Sequence, residues 1–107
     1  MSHPRIISGK ARGIRLQPVP GEITRPITDR VKEALFNIIN GDVIDSRFLD
    51  LFAGTGSVGL EALSRGASFV RFVDINRVAV NTLKMNIRRT RLEQGSEIRL
   101  PAFLPAK

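Results

Sequence analysis

The chain has 107 residues, with 17 Lys and Arg against 10 Asp and Glu, a formal charge of +7 and a pI of about 11.3. Cysteine is absent, which excludes a disulfide-stapled scaffold and any Cys-ligated zinc or iron–sulfur site. No apolar run approaches the roughly 18–20 residues of a bilayer span, and the first residues lack the apolar core of a secretory signal, so the expectation is one cytoplasmic domain at most.

The charge is unevenly placed. Residues 1–40 carry seven basic and three acidic side chains, residues 41–75 three and five, and residues 76–107 seven and two. Basic flanks suit a polyanion, and a mildly acidic middle suits a cationic or hydroxylated ligand. The plain alternative is a solvated surface rich in lysine and arginine.

In chain order, Pro4–Ser8 and Ile14–Gln17 read as two short strands around the glycine-bounded loop Gly9–Gly13, a basic hairpin. Pro18, Pro20 and Gly21 then break regular structure. Thr28 is placed to N-cap a helix with Asp29 in its first turn. Val31, Ala34, Leu35, Ile38 and Ile39 repeat at helical spacing and predict the buried face, with Arg30, Lys32 and Glu33 on or near the opposite side. Gly41 is the expected stop. Arg47–Phe52 reads as a strand, Ser57–Arg65 as a helix ended by Gly66, and Phe69–Val73 as a second strand. Asn76 can cap a helix running to about Arg91 with Val80, Leu83 and Ile87 inward, and Ile98–Leu100 can begin a third strand. This β-α-β-α-β order predicts an α/β fold with parallel strands and right-handed crossovers.

Gly54-Thr55-Gly56-Ser57-Val58-Gly59 spells G-x-G-x-x-G between a strand and a helix, with Asp74 about 20 residues on. Glycines allow a tight turn and close approach of a ligand. Asp74 ends the second strand on the rim where open α/β sheets bind ligands, and its carboxylate can accept the hydroxyl protons of a ribose. This much fits a nicotinamide dinucleotide as well as S-adenosylmethionine. Asp50, four residues before Gly54, favours the second, because an acid facing the turn repels pyrophosphate but attracts an ammonium or sulfonium group. A glycine-rich turn with surface acids and no ligand is the remaining alternative.

Asp50-Leu51-Phe52-Ala53-Gly54-Thr55-Gly56 resembles motif I of class I methyltransferases. The longer string Leu49–Ala67, together with Arg5–Gly13 and Arg25–Asn37, resembles the bacterial 16S ribosomal RNA guanine-N2 methyltransferase family across most of residues 5–92. The resemblance implies a Rossmann-like methyltransferase fold preceded by the basic hairpin (residues 1–20) and a helix, with residues 21–107 forming the first half of the sheet. It implies methyl transfer from S-adenosylmethionine to a guanine N2 in 16S rRNA or the assembling small subunit. By motif, Asp50, Phe52, Gly54 and Gly56 would line the methionine side of the cofactor, Asp74 would take the ribose hydroxyls, and Ile75 would pack on adenine. Thr28 and Arg25 lie in a block that borders the cofactor pocket. Arg5, Lys10, Arg12 and Arg15 would grip RNA phosphates. Phe52 and Ile75 read equally as core residues, the hairpin cations as solubility charges, and Arg25 as an ion-pair partner of Asp29 or Glu33.

The family's later Asn/Asp-Pro-Pro-aromatic motif, which holds the target amine and stacks on the flipped base, does not occur in the sequence. Nor does the acid expected after the third strand, and from about residue 98 the chain departs from the family. The chain therefore reads as truncated, frameshifted or an expressed piece. In the family's strand order 3-2-1-4-5-7-6, strand 1 would then be an edge beside Phe48 and Leu51, open to self-association. Low stability, weak or no S-adenosylmethionine binding and no methyl transfer by this chain alone are expected. An RNA-binding remnant without catalysis is the alternative. His3, the sole histidine, sits too near the terminus to serve as a general base.

Overall fold

The computed structural model describes residues 4–21, 27–51 and 53–101. Its elements run α1 (Asp29–Ile39), a 3-10 turn (Asn40–Val43), β1 (Arg47–Asp50), α2 (Ser57–Ser64), β2 (Phe69–Val73), α3 (Arg77–Thr90) and β3 (Ser96–Arg99). The three strands are parallel in the order β1-β2-β3. Leu49 pairs with Arg71 across the first ladder, and Phe72 with Ile98 across the second. This is the α/β Rossmann-like arrangement expected, with β2 central.

The hairpin forms around one antiparallel bridge, Arg5 to Arg15, rather than as two full strands. Ile6 N–H donates to Ile14 O at 2.9 Å and Leu16 N–H to Pro4 O at 2.7 Å. Pairing stops there because Ile7 and Ser8 turn their amides to Glu61 of α2 (2.9 and 3.1 Å). The loop then packs on the end of α2, where Lys10 N–H donates to Ser64 O at 2.9 Å. Gly9, at φ +91°, lies so close that a Cβ would sit 1.9 Å from Ser64 O. Ile6 and Leu16 are buried and join the hairpin to the main core.

Thr28 caps α1, accepting the Val31 amide at 3.2 Å. The buried face differs from the expected one. Lys32 and Phe36 are buried and Leu35 and Ile39 partly so, whereas Val31 is 53% and Ile38 81% exposed. At 3.6 residues per turn this rotates the inward face by about 80°. The rotation follows from partners: Phe36 stacks on Phe48 of β1 at 6.3 Å, and Lys32 finds a buried carboxylate. Gly41 does not end the helix. Asn40, at φ +41°, does so, and Gly41 lies inside the 3-10 turn.

β1 stops at Asp50, short of the expected Phe52, and β3 begins at Ser96, ahead of the expected Ile98. Asn76 caps α3 through the Val78 and Ala79 amides, and Val80, Leu83 and Ile87 face inward as the spacing predicts. Among the described residues β1 pairs only with β2, so it is an edge with Leu49 57% and Leu51 55% exposed. Phe48 is half-buried rather than exposed, because Phe36 covers it. The core runs from the hairpin through Leu60, Leu63, Val70 and Phe72 to Leu83 and Ile87.

Candidate cofactor site at the glycine turn

The turn between β1 and α2 sits at the carboxyl ends of β1 and β2, and four elements pin it. From the tip of β2, Asp74 Oδ2 accepts the Gly54 amide at 2.8 Å, while Oδ1 accepts the Asn76 amide at 2.9 Å. From α3, the buried Asn86 donates its Nδ2 to Thr55 O at 2.9 Å. From α1, Lys32 Nζ donates to Ser57 Oγ at 2.9 Å. From β1, Asp50 Oδ2 accepts the Gly59 amide at 3.1 Å. Gly56, the N-cap of α2, has no side chain to accept such an amide, so Asp50 supplies the acceptor from outside the helix.

Each glycine serves a different need. Gly54 is at φ +52°, and a Cβ there would meet nothing within 4 Å. Its Cα face therefore opens to free space, while its amide is held by Asp74. Gly56, at φ +87°, would drive a Cβ to 2.5 Å from Leu83 Cδ1. At Gly59 a Cβ would lie 2.2 Å from the Phe72 ring, so this glycine lets α2 rest directly on β2.

The expected site residues therefore separate. Asp50, Gly54, Gly56 and Asp74 come together around one turn. Ile75 is 64% exposed beside Asp74 and is not a core residue. Thr28 caps α1 through one lone pair and keeps its hydroxyl donor. Phe52 and Arg25 lie outside the described residues. Asp29, offered as a partner for Arg25, pairs with Arg5 Nε at 2.8 Å. That bond and the nearby charge raise the Arg5 pKa above its ordinary value, and this exposed cation is thus engaged within the protein. Lys10, Arg12 and Arg15 are exposed.

A buried polar cluster lies behind the turn, and the sequence pattern does not announce it. Glu61, fully buried, accepts from Ile7 and Ser8 amides, Arg65 Nε (2.7 Å) and Lys32 Nζ (3.1 Å). Lys32 also donates to Arg5 O. Burial lowers the Lys32 pKa, and attraction to Glu61 opposes the shift. A lone acid in the apolar run Ser57–Ser64 is the available signal for Glu61. Nothing in the helical pattern points to Asn86, which also closes a two-bond clamp on the Gln17 backbone (2.8 and 3.0 Å).

A parallel sheet in 3-2-1 order, with a glycine turn after strand 1 and an acid at the tip of strand 2, defines a Rossmann-like α/β chain with a ligand site at its carboxyl rim. The family model described as conserved hypothetical protein 95 matches residues 4–103, and the chain belongs to that family. It is 46% identical over 84 residues to ribosomal RNA small subunit methyltransferase D of Haemophilus influenzae, an alignment that covers 78% of this chain and 44% of that protein. Its counterpart in Escherichia coli is 45% identical over 84 residues, covering 78% and 42%. Among solved structures, the yhhF protein of Escherichia coli superposes with a TM-score of 0.76 at 40% identity, covering 88% of this chain and 50% of that one. The chain thus spans half or less of the length of these relatives.

Proposed function

We propose that these residues form the cofactor-binding half of an S-adenosylmethionine-dependent enzyme that methylates the N2 of a guanine in 16S rRNA. The observation that carries this reading is the tie between Asp74 and the Gly54 amide. It sets a carboxylate and a bare glycine edge side by side at the carboxyl rim of a parallel sheet, in a chain whose relatives are named small subunit rRNA methyltransferases.

The residues suit the donor. A carboxylate offers about four lone-pair positions, so Asp74 can hold two amides and still accept from ribose hydroxyls. Ile75 offers an exposed apolar surface next to that carboxylate for the adenine. Asp50 places negative charge behind the turn, favouring a cationic amino acid moiety and opposing pyrophosphate. When bound, S-adenosylmethionine supplies an electrophilic methyl group for direct displacement by the guanine amine. The contribution of this chain is to bind and orient. Residues 1–20 act as a basic arm toward rRNA and residues 21–107 as the first part of the methyltransferase sheet, and the arm is reduced to Lys10, Arg12 and Arg15 once Arg5 is assigned to Asp29. The sequence holds no Asn/Asp-Pro-Pro-aromatic motif to grip the target amine, so the reading includes no methyl transfer by these 107 residues alone.

The test is a titration of S-adenosylhomocysteine into isotope-labelled chain followed by NMR. Saturable shifts confined to Gly54, Gly56, Asp74 and Ile75, lost in Asp74→Ala, are expected, with affinity weaker than micromolar. Shifts scattered elsewhere, or unchanged in Asp74→Ala, would remove the assignment. The reading of an RNA-binding chain without catalysis predicts salt-dependent RNA retention with no such shifts.

A further inference from the structure

The hairpin loop that carries Lys10 packs away from the glycine turn. Along α2, Ser57 stands at the turn and Ser64 stands seven residues further, roughly 10 Å away at 1.5 Å per residue. The loop packs at the Ser64 end. There it faces the C-terminal end of α3, where Arg89 Nε donates to Arg15 O at 2.7 Å and ties the two elements together. Between them lies a cleft of about 880 Å³, lined by Lys10, Arg89 and Arg91, with Gly66, Gly95 and one acid, Asp45, among its other walls.

Among the described residues, every ion pair is made by Arg5, Lys32, Arg65, Arg71 or Arg99. Lys10, Arg12, Arg15, Arg88, Arg89 and Arg91 are in none. Compensation of the α3 dipole accounts for basic residues in its last turn. It does not account for Lys10, which arrives from another element. Nor are the arginine side chains needed for the terminal carbonyls, since Arg91 N–H, Leu92 N–H and Thr90 Oγ1 already reach Ile87 O or Arg88 O. Three cations from two elements that Arg89 ties together, none with a carboxylate partner among the described residues, therefore converge on one hollow.

We propose that this cleft, at the amino ends of β2 and β3 and opposite the glycine turn, binds the phosphate backbone of RNA. The idea rests on the rRNA reading above and extends it: the RNA would be held on the edge of the sheet remote from the candidate cofactor, so that anchoring and chemistry occupy opposite ends. Phosphate contacts position a nucleic acid without reading its sequence, which is what flexible lysine and arginine heads around an open cleft can provide.

The test is fluorescence anisotropy of the 107-residue chain with a labelled single-stranded RNA 20-mer across a salt series. Lys10→Gln and Arg91→Gln are compared with Arg30→Gln, which removes the same charge from α1. Neither cleft side chain has a hydrogen-bond or ion-pair partner among the described residues, so both variants should melt with the parent. Each is expected to weaken binding about threefold or more and to lower the salt slope by about one, while Arg30→Gln stays near the parent. Unchanged affinity and slope in both cleft variants, with the parent still binding, would overturn the cleft and leave the rRNA reading standing. Equal weakening in all three would reduce the effect to net charge and also overturn it. Equally tight binding of a polyglutamate peptide would assign the cleft to acidic peptides instead. Absence of any binding by the parent at low salt would end both the cleft and the RNA contact of this chain, while the S-adenosylhomocysteine titration would still decide the cofactor site independently.

Discussion

Asp74 and Gly54 lie 20 residues apart in the chain, and the carboxylate of one accepts the amide of the other at 2.8 Å. The bond continues the β1–β2 ladder by one step beyond Ala53 N–H to Val73 O at 3.1 Å. It thereby locks the glycine turn to the tip of the neighbouring strand. The same turn is held by Asn86, Lys32 and Asp50 from three other elements. A loop pinned at successive positions is pre-organised, so little ordering remains to be done when a ligand arrives.

The three glycines of the turn should separate stability from binding. Gly54→Ala meets no atom and carries only the left-handed backbone penalty, about 1 kcal/mol. It should nonetheless weaken S-adenosylhomocysteine binding, because the new methyl occupies the open edge. Gly59→Ala overpacks the Phe72 contact and should destabilise by about 1–3 kcal/mol. Gly56→Ala adds a contact with the Leu83 side-chain tip to the same backbone penalty and should be less stable than Gly54→Ala. Thermal denaturation ranks the three, and a Gly54→Ala protein less stable than Gly56→Ala would contradict this order.

Breaking the buried pair should loosen the hairpin selectively. Glu61→Gln leaves the Lys32 ammonium buried without its countercharge and should destabilise by about 3–5 kcal/mol. Hydrogen exchange then reads the consequence. The Ile7 and Ser8 amides, which donate to this carboxylate, should lose protection in Glu61→Gln and keep most of it in Lys32→Met. Equal loss in both would mean that Glu61 does not anchor the hairpin itself.

Acid should weaken the β2–β3 pair through Glu97. Hydrogen bonds from Arg99, and then from Arg71, lower its pKa from the ordinary 4.5. The unfolded chain therefore takes up this proton first as pH falls. The stabilisation is complete above about pH 4.5 and is lost on descending through the lower folded value. Glu97→Gln should melt with a shallower pH dependence than the parent below pH 4.5, and both should share one slope near neutrality. Parallel curves throughout the acid range would remove this contribution.

The open side of β1 should cause self-association of this chain. Leu49 and Leu51 are more than half exposed beside a strand that pairs on one side only, among the described residues. Natural edges are blunted by charge, especially lysine. Leu49→Lys and Leu51→Lys should shift sedimentation velocity profiles toward monomer. A parent chain that is already monomeric at high concentration would dispose of the idea.

Much of this molecule follows from local rules. Thr28 and Asn76 are caps because their side-chain oxygens reach amides two or three residues on, and that geometry depends on neighbouring residues alone. The glycine turn and the acid closing β2 are likewise fixed by short-range chemistry: positive φ at Gly54 and Gly56, and a polar residue where a buried strand meets solvent. The inward apolar residues of α3, Val80, Leu83 and Ile87, are readable because they recur at helical spacing, although Thr82, Asn86 and Thr90 are buried with them. What the order of residues leaves undecided is which of several apolar stripes is covered. On α1 the wide stripe from Val31 to Ile39 permits more than one inward face, and the choice falls to Phe36 against Phe48 and to Lys32 against Glu61. A buried lysine is intelligible only with its countercharge, which lies 29 residues away, and the same holds for Asn86 between Gln17 and Thr55. Such long-range partnerships belong to the tertiary structure, because a polar group enters the interior only where the fold delivers every partner it needs.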